Sequence, residues 1–173
     1  MSTISDWLTR RLLLTLAGLA AVACATAGCG SGASHGSPGP GAGSGPAVTI
    51  RARSLSNVGT VLVNSSGYAL YMFQPDAQRQ VTCTGLCAAT WPPMKISASD
   101  RLVAGPGVRA SLLGSDPDPS GGRVVTYNGW PLYTYTGDVA AGQDTGQGID
   151  LNGGNWYLIR PSGQPLIAGP AGS

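Results

Sequence analysis

Glutamate is absent from this 173-residue sequence, and lysine (Lys95) and histidine (His35) each occur once. These types supply many of the general acids, bases and imidazole ligands of active sites, so their scarcity argues against hydrolytic and general-base chemistry. Charge of either sign is sparse. Nine arginines and the lysine face eight aspartates, a net charge of +2 that gives no basic footprint for nucleic acid. Long apolar runs are also scarce; the one at Leu12–Gly28 is marginal for a membrane span. In excess are glycine (27) and proline (13), close to the level of low-complexity sequence. The apolar content of 42% excludes disorder throughout, so the glycine must be concentrated locally. The length fits one domain.

The first 28 residues read as an address. Arg10 and Arg11, then the apolar run, then small residues form a secretory signal peptide. Thr26-Ala27-Gly28-Cys29-Gly30-Ser31 resembles the lipobox of bacterial lipoproteins, in which the cysteine is lipidated and becomes the mature N-terminus. Cys24, after Ala21-Val22-Ala23, is the alternative lipidation site. Thr9-Arg10-Arg11-Leu12-Leu13 also resembles a twin-arginine signal, and both the general and the twin-arginine export routes fit it. Residues 29–46 combine the lipidated cysteine with a Gly/Ser/Pro-rich tether that can bury nothing. His35 lies there as a solvated linker side chain. Removing Met1–Gly28 leaves eight basic and seven acidic side chains, so membrane association is expected to rest on lipid.

From Ala47 onward short alternating runs are punctuated by turn residues. Val61–Val63, Ala69–Phe73, Arg123–Tyr127, Leu132–Tyr135 and Trp156–Ile159 read as strands, and a helical turn fits around Cys83–Ala89. The segment Val63–Asp76 aligns with Val125–Asp138 at a constant offset of 62, matching glycine, leucine, tyrosine, aromatic and aspartate. Each copy predicts strand, glycine turn, strand and terminal aspartate, followed by a tryptophan, Trp91 or Trp156. Tyr71 and Phe73, or Tyr133 and Tyr135, should share one face of the second strand, with Leu70 and Met72, or Leu132 and Thr134, on the other. The expectation is a mainly-β domain over 47–165, a small sandwich or barrel-like structure of two pseudo-repeated hairpin units with pseudo-twofold symmetry, and a tail over 166–173.

These residues carry a family resemblance. Tyr71-Met72-Phe73-Gln74-Pro75-Asp76 and Tyr133-Thr134-Tyr135-Thr136-Gly137-Asp138 resemble the Y-x-[FWY]-x-x-D signature of bacterial secreted and lipoprotein repeat proteins of unknown function. Cys83–Pro93, Thr126–Tyr133, Gly146–Gly148 and Trp156 match the same pattern, in order, from Val58 to about Pro161. The resemblance implies an exported, anchored β domain with no assigned reaction. Asp116–Gly122 departs from the charged stretch common at that place.

Several side chains invite chemical readings. Cys83 and Cys87, four apart in an exported domain, fit a disulfide closing a small loop, worth ~2 kcal/mol. A redox pair, or soft copper binding with Met72 and Met94, is the alternative. Asp76 and Asp138 at equivalent places suggest turn caps rather than a catalytic pair. The acidic loops with Asp138, Asp144 and Asp150, and with Asp116 and Asp118, lack the calcium-loop register. The hairpin aromatics either form a core or, if exposed in a row, stack on glycans. No catalytic residue, cofactor or metal is expected. The leading expectation is a non-enzymatic binding or scaffolding lipoprotein on the extracytoplasmic face of the cell membrane, with an envelope protein or cell-wall polymer as partner.

Overall fold

A computed structural model describes residues 44–77 and 80–167. The signal peptide, Cys24, Cys29 and His35 lie outside the described residues, as does nearly all of the tether. Among the described residues ten strands run in the order β1 (Ala47–Leu55), β2 (Gly59–Asn64), β3 (Tyr71–Phe73), β4 (Lys95–Ile96), β5 (Arg101–Ala104), β6 (Leu113–Pro117), β7 (Arg123–Tyr127), β8 (Trp130–Pro131), β9 (Asp150–Leu151) and β10 (Gly154–Leu158). A short helix, α1 (Leu86–Thr90), lies between β3 and β4, and a 3-10 turn spans Ala110–Leu112. The mainly-β expectation holds. The strands form three small sheets, ordered β2-β1-β5, β3-β10-β9 and β4-β7-β6 with β8 also on β7, and none closes into a barrel.

The two hairpins differ in their turns. Asn128 (φ 52) and Gly129 (φ 81) join β7 to β8, with Tyr127 paired to Trp130, as a two-residue turn whose left-handed φ values suit Asn-Gly. In the first repeat the turn is one residue longer, because Val63 pairs with Ala69 whereas Thr126 pairs with Pro131. Asn64 holds this longer turn, its Oδ1 accepting from the N–H groups of Ser66 and Tyr68. The constant offset of 62 therefore fails on one side of the turn. Structurally, β2 corresponds to β7 at an offset of 63, and only the residues after the turn keep 62.

The repeats do not fold side by side; they exchange strands. Leu62 N–H donates to Ile159 O and Ile159 N–H to Leu70 O, so the segment after Trp156 completes the first hairpin. Reciprocally, Val125 N–H donates to Met94 O and Met94 N–H to Leu132 O, so the segment after Trp91 completes the second. At the centre Tyr71 and Tyr133 exchange both backbone bonds, each 2.9 Å long. A pseudo-twofold axis passes between them. Of the expected Leu132–Tyr135 strand, Tyr133 makes this bridge and another to Pro93, while Thr134 and Tyr135 leave the ladder.

Side-chain alternation follows the expected period of two, but both faces of the central strands are buried. Tyr71, Phe73 and Tyr133 enter one core cluster with Trp91, Trp156 and Leu158; Leu70, Met72 and Leu132 enter another with Ile50, Val125 and Ile159. The expected single core between the repeats is thus two cores on opposite sides of the exchanged strands. Leu166, assigned above to the tail, is also buried in the first.

Candidate functional site

The repeated tyrosines and aspartates meet at the axis, each partnered by the other repeat. Tyr71 donates its hydroxyl to Asp138 Oδ2 at 2.7 Å, and Tyr133 donates to Asp76 Oδ2. The second oxygen of each carboxylate caps its own following loop. Asp76 Oδ1 accepts from the N–H (2.7 Å) and hydroxyl (2.5 Å) of Thr82; Asp138 Oδ1 accepts from the N–H (2.9 Å) and hydroxyl (2.6 Å) of Thr145. Both aspartates are buried, and these bonds offset the cost of removing a carboxylate from water. Burial raises both tyrosine hydroxyls well above their ordinary range, and the facing carboxylates raise them further.

Turn capping by Asp76 and Asp138 was legible from their type and place. Their second partners, the tyrosines 57 and 67 residues away, were not, and neither Thr82 nor Thr145 stood out in sequence. The signal available was the repetition itself: tyrosine and aspartate recur together, five residues apart. That separation is too large for a pair within one extended strand, so each needs a partner elsewhere.

The aromatic residues form a palindromic stack. Trp91 and Trp156 lie face to face at 3.9 Å between ring centres; Tyr135 stacks on the outer face of Trp91 at 4.2 Å, and Phe73 on that of Trp156 at 4.3 Å. Tyr71 and Tyr133 meet the tryptophans edge-on. Gly146 is required here for space, because a Cβ on it would lie 2.8 Å from the Trp91 ring and 3.0 Å from Tyr71. The stack is symmetric in rings but not in hydrogen bonds. Trp156 Nε1 donates to Leu151 O in the β9–β10 hairpin, whereas Trp91, preceded by α1, has a buried Nε1 without a partner among the described residues.

Every repeat-motif residue is thus brought to one place: Tyr71, Phe73, Asp76, Tyr133, Tyr135 and Asp138. All ten aromatics of the domain are buried or half-buried, so the row of exposed rings on which a glycan would stack is not present. Burial leaves their faces to one another instead.

Cys83 and Cys87 form a disulfide, with a Cα–Cα distance of 5.2 Å, at the start of α1. Cys83 is buried in the tryptophan-bearing core, and Cys87 packs against the same core. Met72 and Met94 belong to the other core, so the four sulfur atoms proposed as a copper set do not converge. Among the described residues no three His, Cys, Asp or Glu side chains gather as metal ligands. The Asp116–Gly122 stretch is held by Lys95, which pairs with Asp118 and donates to Gly121 O at 2.9 Å. Asp118 is buried, which alone would raise its pKa, yet the Lys95 and Ser120 donors lower it below the ordinary carboxylate value.

A protein-family model described as a secreted repeat of unknown function matches residues 54–95 and 116–160, together half of the chain. The chain belongs to this family. The two matched segments of the secreted repeat are the two strand-exchanging units just described, and the motif resemblance noted above falls inside both. No curated protein and no solved structure matches the chain. No helix among the described residues is long and apolar enough to cross a membrane.

Proposed function

We propose that this secreted repeat protein is a lipid-anchored, non-enzymatic module of the cell envelope that binds or scaffolds an envelope partner on the extracytoplasmic face. One observation carries the reading. Both carboxylates of the repeated motif are buried and hydrogen-bonded through both oxygens to tyrosine and threonine donors, so the motif builds a rigid platform. A nucleophile or general base needs a lone pair directed at substrate, and both oxygens of each aspartate are turned instead to buried tyrosine and threonine donors. The partner is an envelope protein or a cell-wall polymer, and function resides on the outer surface of the domain.

Anchoring is assigned to Cys29, because Ala27-Gly28-Cys29-Gly30-Ser31 is a closer lipobox than the segment ending at Cys24. Replacing Cys29 with Ser should release the protein from membranes into the soluble fraction; retention that instead requires Cys24 moves the anchor there. For the non-enzymatic assignment, a turnover that co-purifies with the protein and is lost in Asp76→Asn or Asp138→Asn, with folding intact, overturns it.

A further inference from the structure

We propose that a groove on the first repeat, between β1 and the turn after β2, is a binding site for a phosphate-bearing anion. Arg51 and Arg53 leave the same face of β1, cross-strand from Val63 and Val61, with their Cα atoms about 7 Å apart as i and i+2 positions are. Both are exposed, and they line a surface cavity of about 290 Å³ together with Asn64, Ser65 and Ser66. No carboxylate lines this cavity. Among the described residues the single ion pair is Lys95–Asp118, so neither arginine is neutralised there.

The two arginines are positioned rather than merely displayed. A Cβ on Gly105 would lie 2.8 Å from Arg51 Cγ, so the arginine stem rests in a space only glycine leaves. The Arg53 guanidinium lies over Gly67 and Gly142, whose backbones are joined by a 3.0 Å bond; a Cβ on Gly67 would be 2.9 Å from Nη1. Seating the Arg51 stem and the Arg53 guanidinium in this way reduces the rotamer entropy lost on binding. Asn64 already uses its Oδ1 in the turn, which leaves its amide N–H donors for a ligand. Two guanidinium forks, one amide and two hydroxyls are an array of donors. They match the several acceptor oxygens of a phosphate better than the two of a carboxylate.

The pseudo-twofold provides an internal contrast. By strand register Arg51 pairs with Val63 as Gly114 pairs with Thr126, so Arg51 corresponds to Gly114 and Arg53 to Asp116. The equivalent groove of the second repeat, about 370 Å³, therefore holds a carboxylate whose Oδ2 is buried and unpartnered among the described residues. One fold gives two related grooves, and only the first is cationic.

The proposal does not depend on lipidation, and its test removes the lipid. The full chain carrying Cys24→Ser and Cys29→Ser is titrated with glycerol phosphate while the arginine Nε–H signals are followed by NMR. In a second arm it is mixed with phosphatidylglycerol or phosphatidylcholine vesicles and sedimented. Glycerol phosphate should shift Arg51 and Arg53 saturably. Arg51→Gln with Arg53→Gln should weaken binding at least tenfold without changing the melting temperature, Asp116→Asn should leave it unchanged, and rising salt should weaken it. Retention on phosphatidylglycerol alone, lost in the double variant, identifies a lipid headgroup as the source; solution binding without retention identifies a soluble or polymer-borne phosphate. Acetate binding as tightly as glycerol phosphate, or no arginine-dependent binding in either arm, overturns the proposal.

Discussion

The two repeats are alike where they face each other and unlike where they face solvent. At the axis Tyr71 answers Tyr133, Asp76 answers Asp138 and Trp91 answers Trp156, in nearly the same geometry. Away from it, Arg51 and Arg53 stand where the second repeat has Gly114 and Asp116. A disulfide-tied helix precedes Trp91, whereas Trp156 lies in the second strand of the β9–β10 hairpin. Each inner residue takes its partner from the other repeat, so changing one copy alone would leave a buried group unmatched. Outer residues such as Arg51 and Arg53 are exposed and need no partner from the other repeat, so one copy can differ from the other at little cost.

The tryptophan pair offers the largest effect by which to break this comparison. Trp91→Ala and Trp156→Ala each remove the middle of the ring stack and should cost about 3–5 kcal/mol by denaturant unfolding. The Trp156 variant should be the worse by ~1 kcal/mol, because Trp156 alone donates its Nε1–H. Equal losses would show that the missing indole bond does not matter.

Next come the crossed tyrosines. Tyr71→Phe and Tyr133→Phe should each cost about 1.5–3 kcal/mol, since each strips a donor from a buried carboxylate. A double-mutant cycle sharpens the point: Tyr71→Phe should couple with Asp138→Asn and be nearly additive with Asp76→Asn. Coupling within a repeat instead would contradict the exchange. These hydroxyls also predict alkaline sensitivity. Their folded pKa values lie above the ordinary 10.0, so the stability they contribute is complete below that pH and is lost as pH rises beyond it. Tyrosinate absorbance should accordingly appear together with unfolding for Tyr71 and Tyr133.

Breaking the disulfide with Cys83→Ser and Cys87→Ser should cost ~2 kcal/mol, a smaller loss confined to the first repeat. Smallest is the pairing of Asp118 with the half-exposed Lys95. The folded pKa of Asp118 is lowered, so its stabilisation is full above the unfolded carboxylate value of 3.8 and is lost as pH falls through the lower folded one. Lys95→Met should cost about 1 kcal/mol near neutral pH, allowing for solvent screening, and the difference should vanish in acid.

Much of this was readable before the structure wherever the relevant partner was close in sequence. The Asn128-Gly129 turn, the short helix beside the Cys83–Cys87 disulfide, the capping by Asp76 and Asp138, and the alternation along Tyr71–Phe73 all depend on neighbours a few residues away. The extra residue in the first turn escaped notice, because side-chain matches from Val63 to Asp76 conceal a one-residue shift in hydrogen-bond register. The strand exchange was hidden for another reason. Both repeats contain every strand needed to close themselves, and sequence similarity is the same whether a strand closes its own hairpin or its neighbour's.

Local chain chemistry therefore determined that this secreted repeat is a β protein of two like units, with a short disulfide loop and turns at set places. It did so because turn residues, period-two alternation and a four-residue cysteine spacing act through covalent neighbours. Tertiary structure decided which tyrosine meets which aspartate, that both faces of the central strands are buried, and that Arg51 and Arg53 share a groove with the turn after β2. Those outcomes depend on groups brought together across the chain. Only packing around the pseudo-twofold axis selects them.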